Sequence, residues 1–376
     1  MPTGDGSQTA RVKRRRGLVL TNFKTTNPNK PIGGPSGTDQ QTLLAQRNGL
    51  GLFYVNNIAQ AEGNPIVAPG PSPPSPSQLW IAAGRNTAGG VLLTSPDLSS
   101  NIWTPRVVSA FSEGEINAVA YGGGKLVAVG KARLGGVIST STDGVTWSPS
   151  KIPLSISLIM TGIAYGNNMW VAVGLPAGVI LTSDDGNTWI SRTTDAFNAG
   201  GVAGVIYTGS TWVAYGTGFD GSNKIVRSTD GITWTSSDIS GYGGILSGVT
   251  YNTSSTIAFG DFLIKSEDGS TWETVAIIPY NITGMANNNS EWVFVARDNN
   301  GDNYIATSDD DLVRYIVGTT TIFNGGNPKG ATYYDSDWVI YGSNAIFATS
   351  SDRDTWSVAQ PLAQFAGGNL NTIIHT

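Results

Sequence analysis

Val137-Ile138-Ser139-Thr140-Ser141-Thr142-Asp143-Gly144-Val145-Thr146-Trp147 decides the fold, because the same pattern of strand, turn and tryptophan returns along most of the chain. Val137 to Thr140 alternate apolar and small polar residues, the signature of a half-buried strand. Thr142-Asp143-Gly144 then reads as a turn, in which Gly144 supplies the positive φ and the Asp143 carboxylate accepts nearby backbone N–H groups. Trp147 follows three positions later, where its ring can lie across the hairpin base and be buried.

Three further copies are nearly perfect: Ser183-Asp184-Asp185-Gly186-Asn187-Thr188-Trp189, Ser228-Thr229-Asp230-Gly231-Ile232-Thr233-Trp234 and Ser266-Glu267-Asp268-Gly269-Ser270-Thr271-Trp272. Three more read as decayed, running from Ser95 to Trp103, from Ser308 to Tyr315 and from Ser350 to Trp356. Successive aromatics at positions 103, 147, 189, 234, 272, 315 and 356 are 44, 42, 45, 38, 43 and 41 residues apart. That period is one four-stranded propeller blade.

Ahead of each turn come two more strands. Ile116 to Gly122 and Leu126 to Gly130 form one such pair, Thr161 to Gly166 and Trp170 to Gly174 the next. The first blade lacks a strand before Leu79-Trp80-Ile81-Ala82-Ala83-Gly84. Asn369-Leu370-Asn371-Thr372-Ile373-Ile374-His375 aligns with Glu115-Ile116-Asn117-Ala118-Val119-Ala120-Tyr121 and is expected to fill the gap. Leu50 to Val55 competes for the place, and the Leu/Ile-Asn pair favours the C-terminal strand. The expectation is an all-β, seven-bladed β-propeller over residues 78–376, closed by the C-terminal strand so that no sheet edge is left open in the ring.

Residues 1–77 read as an extended N-terminal arm. Its first 50 residues carry eight Lys and Arg against Asp5 and Asp39, a net of +6 in a chain of net charge −5, so the remainder holds −11. Arg11-Val12-Lys13-Arg14-Arg15-Arg16 is the densest run, and six prolines between Pro65 and Pro76 make a stiff connector to the propeller. A basic arm on an acidic body docks one end and keeps the other soluble. Arg11, Lys13, Arg14, Arg15 and Arg16 are the candidate docking residues. An acidic protein surface suits them better than nucleic acid, since among the first 50 residues only Phe23 could stack on a base.

Composition removes several chemistries. The chain has no Cys, and His375 is its only His, so thiolate and histidine metal sites, cysteine nucleophiles and interior Ser-His-Asp triads are excluded. Charged residues are 13% of the chain while glycine numbers 49, which suits short strands and tight turns. No apolar run reaches 18 residues and no apolar segment follows the basic cluster, so neither membrane insertion nor a secretory signal is expected. Asp298-Asn299-Asn300-Gly301-Asp302-Asn303 could ligate calcium but lacks the terminal bidentate acid of a calcium loop, and reads as a polar hairpin tip. No cofactor is expected.

The turns resemble the Asp-box, Ser-x-Asp-x-Gly-x-Thr-Trp, of sialidase-like and BNR-repeat β-propellers, one residue shorter between Asp and Gly. Together with Val119-Ala120-Tyr121-Gly122 and Leu126-Val127-Ala128-Val129-Gly130 they look like the exo-alpha-sialidase-type repeats of bacteriophage tail-fibre, receptor-binding and other virion proteins. On that resemblance Ser141, Asp143, Gly144 and Trp147, with Ser183, Asp185, Gly186, Trp189, Ser228, Asp230, Gly231, Trp234, Ser266, Asp268, Gly269 and Trp272, are structural turn residues and not catalysts. The sialidase set of clustered arginines, a Tyr-Glu pair and an early Arg-Ile-Pro motif is not recognisable here. The implied function is a non-enzymatic virion protein, of a bacteriophage, whose arm docks on capsid, portal or tail and whose propeller contacts structural partners or a host-surface glycan or receptor. The alternatives are a carbohydrate-binding or sialidase-like propeller, or an assembly factor holding a partner in its channel.

Overall fold

A computed structural model describes residues 42–44, 53–55 and 78–376, apart from 99–101, 154–157, 193, 198–199, 277–278, 310–311, 313–315, 324–325 and 360–361. The chain divides into two units, 1–70 and 71–376, with the division inside the proline-rich connector. In the first unit Thr42–Leu44 pairs antiparallel with Phe53–Val55. The strand expected at 50–55 therefore belongs to a small hairpin of its own and does not close the propeller.

The second unit is a seven-bladed β-propeller of four-stranded antiparallel sheets. Six blades run inside to outside in chain order. Their inner strands are Glu115–Gly122, Ile159–Gly166, Gly201–Tyr207, Leu246–Tyr251, Asn281–Asn287 and Pro328–Tyr334, which we number blades 2 to 7. Blade 1 takes its inner strand from the far end of the chain: Asn369–His375 pairs with Trp80–Arg85, as the aligned Leu/Ile-Asn pair leads one to expect. Among the described residues the only helical turns are two 3-10 turns, Ser109–Phe111 and Ala363–Phe365, and no helix is long and apolar enough to cross a membrane.

The second strand of each blade is apolar on both faces because it is sandwiched between two neighbours. In Lys125–Ala132, Leu126 and Ala128 pack towards blade 1 while Val127 and Val129 pack towards blade 3. In Met169–Leu175, Trp170 and Ala172 face blade 2 while Val171 and Val173 face blade 4. The core is thus a ring of apolar seams between blades, and no single centre exists. The outer strands are two to four residues long, as in Ser148–Pro149 and Ser357–Val358, too short to template pairing with another chain.

The repeated turns cap the third and outer strands. Ser141 Oγ donates to Asp143 Oδ1 (2.9 Å) and accepts the Gly144 N–H (2.9 Å), while Asp143 Oδ1 also accepts the N–H groups of Val145 (2.8 Å) and Thr146 (2.7 Å). Trp147 Nε1 donates to the Gly144 carbonyl (3.3 Å), which locks the buried ring over the turn. The turns at Asp185 and Asp230 repeat this set, and Asp268 accepts the same pair of N–H groups. These donors hold the carboxyls down: Thr233 and Ile232 bring Asp230 to about 2, and Thr271 and Ser270 do the same for Asp268.

The copy at 350–356 departs from its expected decayed state. Ser350 and Asp352 make the full bonding pattern, and Trp356 Nε1 donates to the carbonyl of Arg353 (3.0 Å), which stands at the glycine position with φ of 68°. Ser and Asp supply the bonds, so the glycine is replaceable by any residue held in the left-handed region. The copy at 95 is altered, with Ser95 Oγ donating to the Asp97 carbonyl (2.6 Å). Asp310 and Tyr315 of the copy at 308 lie outside the described residues.

Candidate ligand site at the channel mouth

All seven inner strands carry a β-bulge at the same place. Pairing with the second strand skips Asn117, Thr161, Ala203, Ser247, Thr283, Lys329 and, in blade 1, Asn371. A bulged residue is released from the ladder and its side chain is re-aimed. The seven therefore form one ring about the central channel, near the end where the inner strands begin. Glycine opposite the bulge permits it: a Cβ on Gly130 would lie 2.0 Å from the Glu115 carbonyl oxygen, and one on Gly84 would lie 2.1 Å from that of Asn369.

Several ring side chains reach across to the following blade. Asn371 Nδ2 donates to the Ile116 carbonyl (2.9 Å), Asn117 Nδ2 to the Met160 carbonyl (2.7 Å) and Thr161 Oγ1 to the Val202 carbonyl (2.6 Å). Each takes the carbonyl of the residue just before the next bulge. Lys329 Nζ donates to Asn371 Oδ1 (2.8 Å), so the relay runs from blade 7 through blades 1, 2 and 3 to blade 4. Ala203, which has no polar group, ends it.

On the side of blades 6, 7, 1 and 2 the ring opens into a cavity of about 660 Å³, lined by Asn117, Thr283, Lys329 and Asn371 of the ring together with Glu115, Asn281 and Arg297. Glu115 is largely buried and lies 3.9 Å from Arg85 and 3.6 Å from Lys131, and it accepts from Asn371 Nδ2 (2.8 Å). Burial pushes the Lys329 ammonium below its usual range, with Glu115 acting in the opposite direction. Arg297 turns back to the Gly301 carbonyl (3.2 Å).

Asp298, at the edge of this cavity, is spent within its own hairpin. Its carboxylate accepts the N–H groups of Asn300 (2.9 Å) and Asp302 (2.8 Å), the Asn300 amide (3.3 Å) and the Tyr304 hydroxyl (3.1 Å). Burial raises its carboxyl, and these donors outweigh that and leave it below the ordinary range. This is the polar hairpin tip read from the sequence.

None of the turn residues singled out from the sequence reaches the cavity. An inner strand starts at the mouth, the second returns to it and the third leaves again, so Asp143, Asp185, Asp230 and Asp268 sit at the opposite end of the ring. Arg11, Lys13, Arg14, Arg15 and Arg16 lie outside the described residues. The bulge ring escaped the sequence reading, although its signal is there: an apolar, polar, small triplet in most inner strands (Ile116-Asn117-Ala118, Met160-Thr161-Gly162, Pro328-Lys329-Gly330) and glycine at the end of nearly every second strand.

No family model and no curated protein matches the chain. Solved structures do resemble it. The protein YCF48 bound to D1 peptide is 17% identical, with 65% of this chain and 81% of that one covered at a TM-score of 0.52. YCF48 from Cyanidioschyzon merolae is 15% identical over 69% of this chain and 94% of that one, at 0.50. Streptogramin B lyase is 12% identical over 70% and 90%, at 0.55. One of these carries a peptide and another is a lyase, so at such identities the likeness shows the propeller fold alone.

Proposed function

We propose that the chain is a non-enzymatic binding propeller, a virion structural protein held on its particle by the basic arm, 1–77, and presenting the channel mouth to a structural partner or a host-surface molecule. The observation that carries the binding part of the reading is the bulge ring. It spends its polar side chains on carbonyls of neighbouring blades, and sets amides and paired charges around an open cavity, an arrangement for recognition by hydrogen bonds. The turn carboxylates Asp143, Asp185, Asp230, Asp268 and Asp352 are taken up by backbone donors at the far end. The virion part of the proposal rests on the resemblance of the Asp-box-like repeats to phage proteins and on the +6 charge of the first 50 residues beside a −11 remainder.

Attachment to particles tests it. Virions assembled without the protein are incubated with the full chain or with a chain beginning at Gln78, and bound protein is measured after sedimentation. The full chain is expected to sediment with particles and the truncated propeller to stay in solution while keeping its folded near-UV spectrum. Equal attachment of both would remove the arm from the anchoring role.

A further inference from the structure

The mouth of the channel is a local exception to the charge of the propeller. Residues 78–376 hold fourteen Lys and Arg against twenty-four Asp and Glu, a net of −10. Lining the cavity itself, Lys329 and Arg297 stand against Glu115 and Asp298, so the acidic excess is absent there, and Arg85 and Lys131 approach Glu115 from beside it. Glu115 is shared between Arg85 and Lys131 and accepts from Asn371, and among the described residues the half-buried Lys329 ammonium has one hydrogen bond, to a neutral amide oxygen, with only a through-space share of Glu115. An ammonium has three donors and loses much of its hydration on burial, so an anion in the adjoining space is the partner it lacks.

We propose that this cavity is a binding site for an oxyanion, the carboxylate or phosphate group of a small polar ligand, held by the Lys329 ammonium and oriented by the second N–H of the Asn117 amide, the first being given to the Met160 carbonyl. The inference rests on the binding reading above and gives that site its ligand chemistry. The bulge at Lys329 is what makes the site: in an unbroken ladder the position would alternate with its neighbours, and its side chain would not be released to the channel. Glu115 sets the strength of the site, since its charge opposes the incoming anion while Arg85 and Lys131 offset it. A charge-assisted bond in a partly desolvated cavity is stronger than one in open water, so one lysine carries much of the affinity.

Calorimetric titration of the full chain with sodium glucuronate, inorganic phosphate and glucose tests this. Glucuronate or phosphate is expected to bind saturably at one site, and glucose, the neutral counterpart of glucuronate, much more weakly. Glucuronate alone identifies a carboxylate ligand, phosphate alone a phosphoryl ligand, and binding of both a general oxyanion site. Lys329→Gln should weaken the anion about tenfold or more, the worth of one charge-assisted hydrogen bond. Glu115→Gln keeps the acceptor for Asn371 and should tighten binding. Glucose binding as well as glucuronate would overturn the oxyanion assignment and leave the recognition reading standing. Failure of both anions to bind, or anion binding unmoved by Lys329→Gln in a protein of unchanged near-UV spectrum, would overturn it also. The particle-attachment experiment uses none of these variants, so the two readings fail separately.

Discussion

At the scale of single residues, Arg353 shows how one position trades backbone comfort for side-chain reach. It occupies the glycine place of its turn at a φ of 68°, a region that costs an L residue about 1 kcal/mol. Its guanidinium crosses to blade 6, where Nη2 lies 2.7 Å from Glu291 Oε1 and Nη1 pairs with Asp309. The Arg353 side chain is only 15% exposed and Glu291 36%, so that pair is shielded better than a surface one, while Asp309 is 75% exposed and its pair is the weaker of the two. Arg353→Gly relieves the strain but frees the unfolded chain by a similar amount and strips the clasp from Glu291 and Asp309. The clasp wins: the variant is expected to lose about 1–2 kcal/mol, read as a Tm lower by about 2–4 °C. The difference should shrink in high salt, and an unchanged Tm at low salt would show the clasp to be worth no more than the strain.

At the scale of elements, the strand that closes the ring carries the only histidine. Thr376 N donates to the Leu79 carbonyl (3.1 Å), Leu79 N donates to Thr376 Oγ1 (3.1 Å), and His375 stacks on Tyr334 with ring centroids 3.7 Å apart while its edge meets Trp80. Burial depresses the imidazole below 6.5, against the opposing pull of the Thr376 backbone and of Asp335. The unfolded chain therefore binds a proton that the folded seam resists. Stability is full above the unfolded pKa, about 6.5, and is lost as pH falls through that value towards the lower folded one. The turn carboxylates do not interfere, because their depressed values confine their own losses to below about pH 4. Thermal melts should show a fall in Tm from about pH 7 to about pH 5 that His375→Phe lacks. Equal pH dependence of the two proteins would remove His375 from the seam's energetics. This closing strand was legible in the sequence, as were the blade period and the turns, because each depends on a local pattern: a Leu/Ile-Asn pair, a Trp every forty-odd residues, an Asp and Gly in fixed order. The channel site was not. It depends on bulges, and a bulge shows only in the pairing of two strands. Asn117, Thr283 and Lys329 look like ordinary alternating polar residues until the ladder is seen to skip them.

At the scale of the whole molecule, the fold has no central core, and its stability is distributed over blade-to-blade seams that must close on themselves. Six blades are built from continuous segments, so the covalent chain alone cannot hold the ring shut at the join. Blade 1 solves this by drawing its inner strand from residues 369–375 and its other three from residues 80–106, so that opening the ring breaks a sheet ladder as well as an apolar seam. The hydrogen-bonded Leu79 and Thr376 place the two ends of the propeller side by side, and a short linker can join them. Two circular permutants then separate the ladder's contribution from that of the seams. New ends between Gly122 and Lys125 divide the inner strand of blade 2 from its partner and recreate the same closure there. New ends between Pro149 and Ile159 fall between blades 2 and 3, leaving every sheet continuous and, across the join, side-chain packing with scattered bonds such as Asn117 to Met160 and the single bridge of Lys151 to Thr188 in place of a ladder. The first permutant is expected to melt close to the parent propeller, and the second several degrees lower with a broader transition, since its terminal blades can part without breaking a strand pair. Equal melting of the two would show that the apolar seams and the bulge relay suffice to close the ring without the returning strand.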